Sequence, residues 1–332
     1  MRLRSVLTLA LFVLVALPAS AQAHGGTNPV ASSYLARVRS VPAGLQAKVV
    51  DGDLRVWMRV PVDRAVVVLD YNHVPYLRFT AAGVAVNRNS VMYYYNLVPP
   101  SVPPASVTRA APRWVHVTGA HSYLWHDGRL QDLSAQQLLP GQRYVGVWRI
   151  PLLVGGHAAA LSGGVWFRPA PSLVWFWPIA VIVLCALAAW RVGSEGVDRM
   201  LLRLLALGVL GASIVGAGSH WLHGRPGIAV GGLLETLAVA LFVAWAARRV
   251  IRDRAGGWTL LAIIIVGLWV GITLLPTLWH GYTLLAVPPF VGRAATVICL
   301  SGSLGLLPLL ARISDPLGRR ATETGEAVVA RR

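Results

Sequence analysis

The chain has few negative charges and almost no lysine. Only 13 of its 332 residues are acidic, and Lys48 is the single lysine among 30 basic residues. Charged residues make up 13% and hydrophobic residues 55%, which argues against two ordinary soluble domains and is typical of a chain with much lipid-facing surface. The net charge of +17 would also suit a nucleic-acid-binding protein. The arginines lie mostly between or after apolar runs, however, so we interpret them as membrane-topology signals and expect no nucleic-acid partner.

Cysteine is nearly absent as well. Cys185 and Cys299 both lie within apolar segments, so the rest of the chain has no cysteine with which to form a disulfide. The sequence also lacks a P-loop, a glycine-rich dinucleotide motif after a strand, an H-E-x-x-H helix and a G-x-S-x-G elbow. Nothing in the sequence therefore recommends an enzyme, and we expect a non-enzymatic protein.

The first 23 residues have the order of a secretory signal. Arg2 and Arg4 form a basic start, an apolar stretch follows, and small residues precede two cleavage sites that fit equally well. Cleavage after Ala21 would leave Gln22 at the mature N-terminus, and cleavage after Ala23 would leave His24. We predict an export signal over residues 1–23.

The C-terminal half, residues 172–311, contains runs long enough to cross about 30 Å of hydrocarbon. These five predicted spans are residues 173–190, 201–218, 228–247, 258–279 and 287–310. Arginines cluster after the first, third and fifth spans, whereas the alternate connections hold only Arg225. The positive-inside rule then predicts a multi-pass protein of the cell membrane, with a basic cytoplasmic tail at 312–332 and the N-terminal domain outside.

Two charges lie inside the predicted spans. Glu235 and Arg293 are both roughly 10 Å below the outer boundary, because each is six or seven residues into its span. Opposite charges at similar depth favour an ion pair in lipid, and the pair is a candidate polar site open to the outside. The alternatives are a purely structural pair, or an arginine whose guanidinium extends to the interface.

Residues 24–171 have a different period. Leu54–Val60 and Tyr144–Ile150 alternate between apolar and polar residues, which predicts half-buried strands. Val91–Tyr95 is one of the further short strands that we predict between proline, glycine and asparagine clusters. Seven or more such strands favour an immunoglobulin-like β-sandwich. The predicted fold is therefore α+β by segment, an extracytoplasmic β-sandwich followed by a bundle of about five transmembrane helices.

The nine histidines all lie at or outside the predicted outer surface, and imidazole suits copper and zinc. Any single histidine is more often an ordinary surface or core residue. Three groupings are candidate metal sites: His24 with a free α-amine; His116, His121 and His126; and His220, His223 and His280. For the third group, the alternative is interfacial anchoring beside Trp221 and Trp279.

Several stretches resemble a family of uncharacterised actinobacterial membrane proteins that combine a secreted β-domain with C-terminal spans. They are His24-Gly-Gly, Val67–Arg78, Asn87–Ser90 and Trp125-His-Asp127. The resemblance covers most of the chain and implies no established activity.

A weaker similarity is to copper-resistance C-type periplasmic proteins, which bind copper through an N-terminal histidine and an Asp-x-His pair. Residues 144–149, 155–157 and 162–167 resemble the final hairpin of that family, with His157 at the paired histidine and Gly155 where the aspartate belongs. The similarity implies an immunoglobulin-like fold and a copper ion held by His24 and His157.

Two functional hypotheses follow. The first is an extracytoplasmic metal-binding domain, with copper as the expected ion, that acts in metal uptake, delivery or tolerance. The alternative is a non-enzymatic interaction protein without metal, which docks an envelope or membrane partner through Val91–Tyr95 and the proline-rich loop Val98–Pro104. In both hypotheses the lipid bilayer is a further partner.

Overall fold

The computed structural model describes residues 29–105, 107, 110–131, 133, 138–192, 194–223 and 230–314. The predicted export signal, His24 and most of the predicted tail lie outside the described residues. The described chain begins with a β-rich region and continues into apolar helices, which confirms the predicted order of the two parts.

The β-rich region, called the β-domain below, contains two sheets. Its strands are β1 (Ala31–Ser32), β2 (Tyr34–Ser40), β3 (Gln46–Val50), β4 (Arg55–Arg59), β5 (Val66–Leu69), β6 (Pro75–Thr80), β7 (Gly83–Asn87), β8 (Trp114–Thr118), β9 (Ser122–His126), β10 (Tyr144–Val154) and β11 (His157–Phe167). Seven strands form one antiparallel sheet in the order β2-β11-β10-β5-β6-β7-β8, and β3-β4-β9 form the second.

The two sheets share one hydrophobic core, and the predicted alternation explains how. In β10, Trp148 and Ile150 are buried while Arg149 between them is exposed. Val56 and Met58 of β4 supply the core from the smaller sheet, where both are fully buried. Successive side chains of a strand point to opposite faces, so the alternating sequence gives each sheet one apolar face. The immunoglobulin-like topology itself stays a prediction.

Val91–Tyr95 is not a strand, so that prediction was wrong. The segment forms a short helix, α1 (Val91–Tyr95), between β7 and β8. Its β-branched and aromatic residues suit a strand by propensity. Tertiary packing overrides that preference, because one helical turn buries both Val91 and Met92, with Met92 in the core.

A helix overlaps each of the five predicted spans, with bounds that differ by several residues. The helices are α2 (Trp177–Val192), α3 (Glu195–Leu222), α4 (Val230–Ile251), α5 (Gly257–Leu274) and α6 (Pro289–Ser314), with a 3-10 helix after α5 (Leu275–Leu278). Among the described residues, three segments are long and apolar enough to cross a membrane: Glu195–Leu222, Gly257–Leu278 and Pro289–Arg312. A lipid environment for these helices is thereby supported, whereas five crossings remain a prediction.

The bundle is organised around α3 and α6. Helix α6 packs against α2, α3 and α5, whereas α4 packs mainly against α3. Glycines permit the close approaches: a Cβ at Gly267 of α5 would stand 2.3 Å from the Ser303 hydroxyl and 2.4 Å from Val209. Small residues at helix crossings are what a lipid-embedded bundle requires, because its stability depends on tight packing.

The β-domain is tied to the bundle at more than its linker. Strand β12 (Tyr282–Thr283), in the connection between α5 and α6, pairs antiparallel with β1. Close by, the Ser33 hydroxyl lies 3.0 Å from Nδ1 of His280, and the Arg168 guanidinium lies over the Tyr282 ring. These contacts place the beginning of β2 and the end of β11 directly on this connection.

Candidate functional site

The predicted histidine cluster on one hairpin does not form. Strand β8, which carries His116, pairs with β7 of the large sheet, whereas β9, which carries His126, pairs with β4 of the small sheet. His121 lies in the turn between them. His157 is exposed at the tip of the β10–β11 hairpin, beside Gly155 and Gly156. Within the described ranges, no group of three or more His, Cys, Asp or Glu side chains is placed to hold a metal ion.

The third histidine group lies where the β-domain meets the bundle. His220 is in the last turn of α3, and His223 follows directly after that helix. Burial lowers the pKa of His223, although a hydrogen bond with the Leu285 backbone and the charge of Asp51 act in the opposite direction. This favours a neutral imidazole, which is the form that binds metal. Metal binding by this group stays a prediction.

Arg293 is buried in α6 and is satisfied by backbone oxygens. Its Nε donates to the Thr277 carbonyl at 2.9 Å, and Nη2 donates to the carbonyls of His280 and Gly281 at 3.2 and 3.3 Å. Glu235 is exposed on α4, a helix that packs mainly against α3. These bonds to carbonyl oxygens can stabilise the buried guanidinium without a carboxylate. The predicted ion pair between Glu235 and Arg293 stays a prediction.

Three of the four motifs of the actinobacterial resemblance, all within the described residues, converge on one place in the β-domain. Asp70, after β5, is almost fully buried and accepts hydrogen bonds from the backbone N–H groups of Asn72 and Val74, both at 2.9 Å. Its second oxygen accepts a bond from the Ser90 hydroxyl at 2.8 Å. Asn87 accepts bonds from the backbone N–H groups of Asn89 and Arg113. Buried polar groups thus fix three irregular segments that are far apart in sequence.

Asp127 forms the second half of this network. Its fully buried carboxylate accepts a bond from the Trp125 indole at 3.0 Å and from Nε and Nη2 of Arg129 at 2.8 and 2.7 Å. Arg129 also donates to the Leu69 carbonyl and lies over the Tyr71 ring. The Tyr71 hydroxyl in turn accepts a bond from Gly128 N–H at 2.7 Å. The guanidinium charge is therefore neutralised, and the Tyr71 ring is held in place.

Asn96 closes the edge of β9. Its amide nitrogen donates to the His126 carbonyl at 3.0 Å, and its amide oxygen accepts from the His126 N–H at 2.7 Å. One side chain thus forms both bonds that a neighbouring strand would form with this residue. This contact pins the end of α1 to the end of β9.

These segments surround an open depression of about 930 Å³, called the aromatic depression below. It is lined by residues from α1, the proline-rich loop and the ends of β5 and β9, namely Leu54, Tyr71, Tyr95, Pro99, Pro100, His126 and Gln131. The rings of Tyr71 and Tyr95 lie 6.1 Å apart in a tilted arrangement. The lining contains no acidic or basic side chain apart from the imidazole, so its surface offers aromatic and proline faces with a few hydrogen-bonding groups.

The neighbouring tyrosine hydroxyls are poor candidates for acid–base chemistry. Burial, together with nearby tyrosines and the Asp127 charge, raises the pKa of Tyr76, and burial raises that of Tyr123. Both hydroxyls therefore remain protonated at neutral pH.

The sequence pointed to part of this site. Val91–Tyr95 and Val98–Pro104, predicted as an interaction surface, supply Tyr95, Pro99 and Pro100. Asn96 and Arg129 were missed, because an asparagine after an aromatic run and an arginine after a turn carry no local signal of their long-range partners.

No protein-family model, curated protein or solved structure matches this chain. The two family resemblances therefore stay predictions.

Proposed function

We propose that this chain is a multi-pass membrane protein that displays its β-domain outside the cell membrane and uses the aromatic depression to bind an extended, uncharged segment of an envelope protein. The observation that carries the proposal is the convergence of Asp70, Asn96 and Asp127 on the segments that frame the depression. Buried networks of this kind stabilise irregular loops in one conformation.

The placement outside is supported by the sequence on both sides of the β-domain. An export signal before it and arginine-rich connections after alternate helices predict the same orientation. The alternation of arginine-rich and arginine-poor connections requires five crossings. We therefore propose that α2 and α4 cross the membrane as well as α3, α5 and α6.

An aromatic and proline-rich lining favours an extended peptide segment. Proline-rich and extended segments dock into aromatic-lined grooves elsewhere, where ring faces pack against rigid backbone with little loss of entropy. The neutral lining favours an uncharged segment, because a charged one would lose its hydration without an ionic partner.

Site-specific photo-crosslinking in the native host tests the proposal. A photoreactive phenylalanine analogue replaces Tyr95, whose side chain is 45% exposed at the rim. We expect one adduct of defined mass at this position, and we expect Tyr71→Ala to abolish it. The control carries the analogue at Val62, an exposed residue of the same domain outside the depression. The absence of an adduct at position 95, or the same adduct at position 62, would contradict the proposal.

Orientation is tested separately with Val62→Cys and Gly256→Cys, the latter in the connection before α5. An impermeant thiol reagent should label the first variant in intact cells, and the second only after permeabilisation. The reverse pattern would place the β-domain in the cytoplasm.

Metal binding is a separate hypothesis that does not involve the aromatic depression. Its strongest form needs His24, which lies outside the described residues. Binding of copper by the purified mature protein, together with an N-terminal residue identified as His24, would support metal handling instead.

A further inference from the structure

The strands β2, β10 and β11 and their flanking residues carry positive charge and no negative charge. Residues 29–50 and 133–194 contain no aspartate or glutamate, whereas they contain six arginines and one lysine. The acidic residues of the β-domain thus lie on other segments. This imbalance is local and is stronger than the excess of arginine in the chain as a whole.

Three of these arginines lie on the outer face of the large sheet. Val147 and Arg149 are two residues apart in β10, so their side chains share the face opposite the core residue Trp148. Across the sheet, Val147 pairs with Gly164 and Gly164 pairs with Arg37, which places Arg37 on that same face. Arg37, Arg39 and Arg149 are all exposed. None of them takes part in a salt bridge among the residues that the structure describes.

Two aromatic rings, Tyr144 and Trp166, form a platform beneath Arg37 and Arg39. The Arg39 guanidinium lies 4.9 Å from the Trp166 ring centre and 5.0 Å from that of Tyr144, and Arg37 lies 5.9 Å from Trp166. The centres of the two rings lie 5.5 Å apart. Both rings pack over Gly164, where a Cβ would come within 2.9 Å of each. Nη1 of Arg39 donates a long hydrogen bond to the Tyr144 hydroxyl at 3.5 Å. A guanidinium stacked on a ring can still present its other N–H groups to an anionic oxygen.

The platform is close to the bundle end of the domain. Trp166 is two residues before Arg168, which lies over Tyr282, and Arg37 is four residues after Ser33, which contacts His280. At the rise of a strand, these positions are about 7 and 13 Å from the connection that follows the span Gly257–Leu278. An extended Arg37 side chain reaches across part of its distance, whereas Arg39 and Arg149 lie further along their strands from the connection.

We propose that Arg37 and Arg39, on the Tyr144/Trp166 platform, together with Arg149 on the same face, bind the phosphate of anionic phospholipid headgroups in the outer leaflet. Charge complementarity supports this occupant, because the face has basic groups only. Arginine recognises phosphate by paired hydrogen bonds, and aromatic rings of this kind lie at headgroup level in membrane proteins. Proximity to the bundle favours a lipid over a soluble polyanion. The inference requires the proposed position of the β-domain outside the membrane and is independent of the aromatic depression.

The test uses full-length protein in a neutral detergent, titrated with short-chain phosphatidylglycerol or phosphatidylcholine and observed by native mass spectrometry. The variant R37Q/R39Q/R149Q removes the three charges. The control R59Q/R88Q/R113Q removes three exposed arginines elsewhere in the same domain. Cytoplasmic arginines contribute equally in all three proteins, so the difference between the variants isolates the platform.

We expect the wild type and the control to prefer phosphatidylglycerol, and we expect the first variant to bind it at least about tenfold more weakly. Equal binding by the two variants would overturn the proposal. Stronger competition by a soluble teichoic-acid polymer than by the lipid would also overturn it, in favour of a cell-wall partner. If the first variant fails to fold, two further measurements test the proposal. Arg149→Gln alone, and added salt with the wild type, should each reduce the preference for phosphatidylglycerol over phosphatidylcholine. The thiol-labelling test reports the orientation independently.

Discussion

The β-domain and the helix bundle bury polar groups in opposite ways. In the β-domain, Asp70 accepts a bond from Ser90, which is 20 positions away, and Asp127 holds Arg129, which donates to the Leu69 carbonyl 60 positions away. These bonds hold irregular segments together. In the bundle, Ser213 and Ser301 donate to the carbonyl four residues earlier in their own helix, at 2.7 and 2.6 Å. The first arrangement specifies a surface, whereas the second only makes a hydroxyl tolerable in an apolar interior.

This difference in hydrogen bonding indicates which of the two regions has a binding surface of defined shape. A network that joins distant loops determines the shape of the aromatic depression, so its loss should affect both stability and binding. Hydroxyls that bond their own helix contribute little to the shape of the bundle, which depends instead on close packing at glycine. Arg293 and Thr296 of α6 are among the exceptions in the described part of the bundle. Arg293 bonds to the Thr277, His280 and Gly281 carbonyls, and the Thr296 hydroxyl lies 3.0 Å from that of Thr277, so both residues hold the connection that carries β12.

The largest expected effect is that of Asp127→Ala. It leaves the Arg129 charge without its partner in an interior where that side chain is 12% exposed, and we expect a loss of about 3 to 5 kcal/mol in the free energy of unfolding. Thermal unfolding of the full-length protein in detergent, followed by tryptophan fluorescence, measures it. A change below about 1 kcal/mol would show that the network does not hold the β-domain together.

Asp53, at the junction of the two regions, should make stability depend on pH. Burial raises its pKa to about 6, although hydrogen bonds from its own backbone N–H and the Ser32 hydroxyl oppose the shift. The folded state therefore binds this proton more tightly than the unfolded state, so the contribution of Asp53 to stability is highest below pH 4 and is lost as the pH rises through 6.

The variant Asp53→Asn should remove this pH dependence. Above pH 7 we expect it to be more stable than the wild type by roughly 2 to 3 kcal/mol, with the difference vanishing below pH 4. Unfolding midpoints across pH 4 to 8 measure the effect. A constant difference between the two proteins at every pH would show that Asp53 does not titrate in this range.

Gly267→Ala tests packing in the bundle. The new methyl group would collide with Ser303 and Val209, and we expect a loss of about 1 to 3 kcal/mol. Gly211→Ala in α3 is the matched control, because its Cβ would have no neighbour within 4 Å. Equal midpoints for the two variants would mean that α3, α5 and α6 are packed less closely than described.

The smallest expected effect is that of His157→Ala. The side chain is exposed at a hairpin tip, so we expect a change below about 0.5 kcal/mol and an unchanged copper-binding isotherm. Calorimetric titration of the purified protein with copper measures the second quantity. Loss of one bound copper ion in the variant would show that His157 is a metal ligand and would assign metal binding to the β-domain.

Much of the architecture could be predicted because its signals are local. Alternation identified β4 and the first part of β10, and hydropathy placed a helix in every predicted span. The boundary of α3 was less accurate: it begins at Glu195 rather than residue 201, because the polar turn with Glu195 and Asp198 continues the same helix. Strands β2 and β3 were not identified, since their alternation is interrupted by small residues.

The candidate site could be predicted only in part. Tyr95 and Pro99 were expected on an interaction surface from their exposed aromatic and proline character. The grouping of His116, His121 and His126 by sequence distance was misleading, because β8 and β9 enter different sheets. Distance along the chain indicates proximity in a hairpin but not across a change of sheet.

The sequence by itself determined where the chain is apolar enough for lipid and where it alternates as strands, because transfer free energy and strand period are sums over neighbouring residues. Only the tertiary structure decided that Asp70 meets Ser90, that Asn96 caps His126 and that three arginines share one face with Trp166. These outcomes depend on strand order and register, which are set by packing between residues that are distant in sequence.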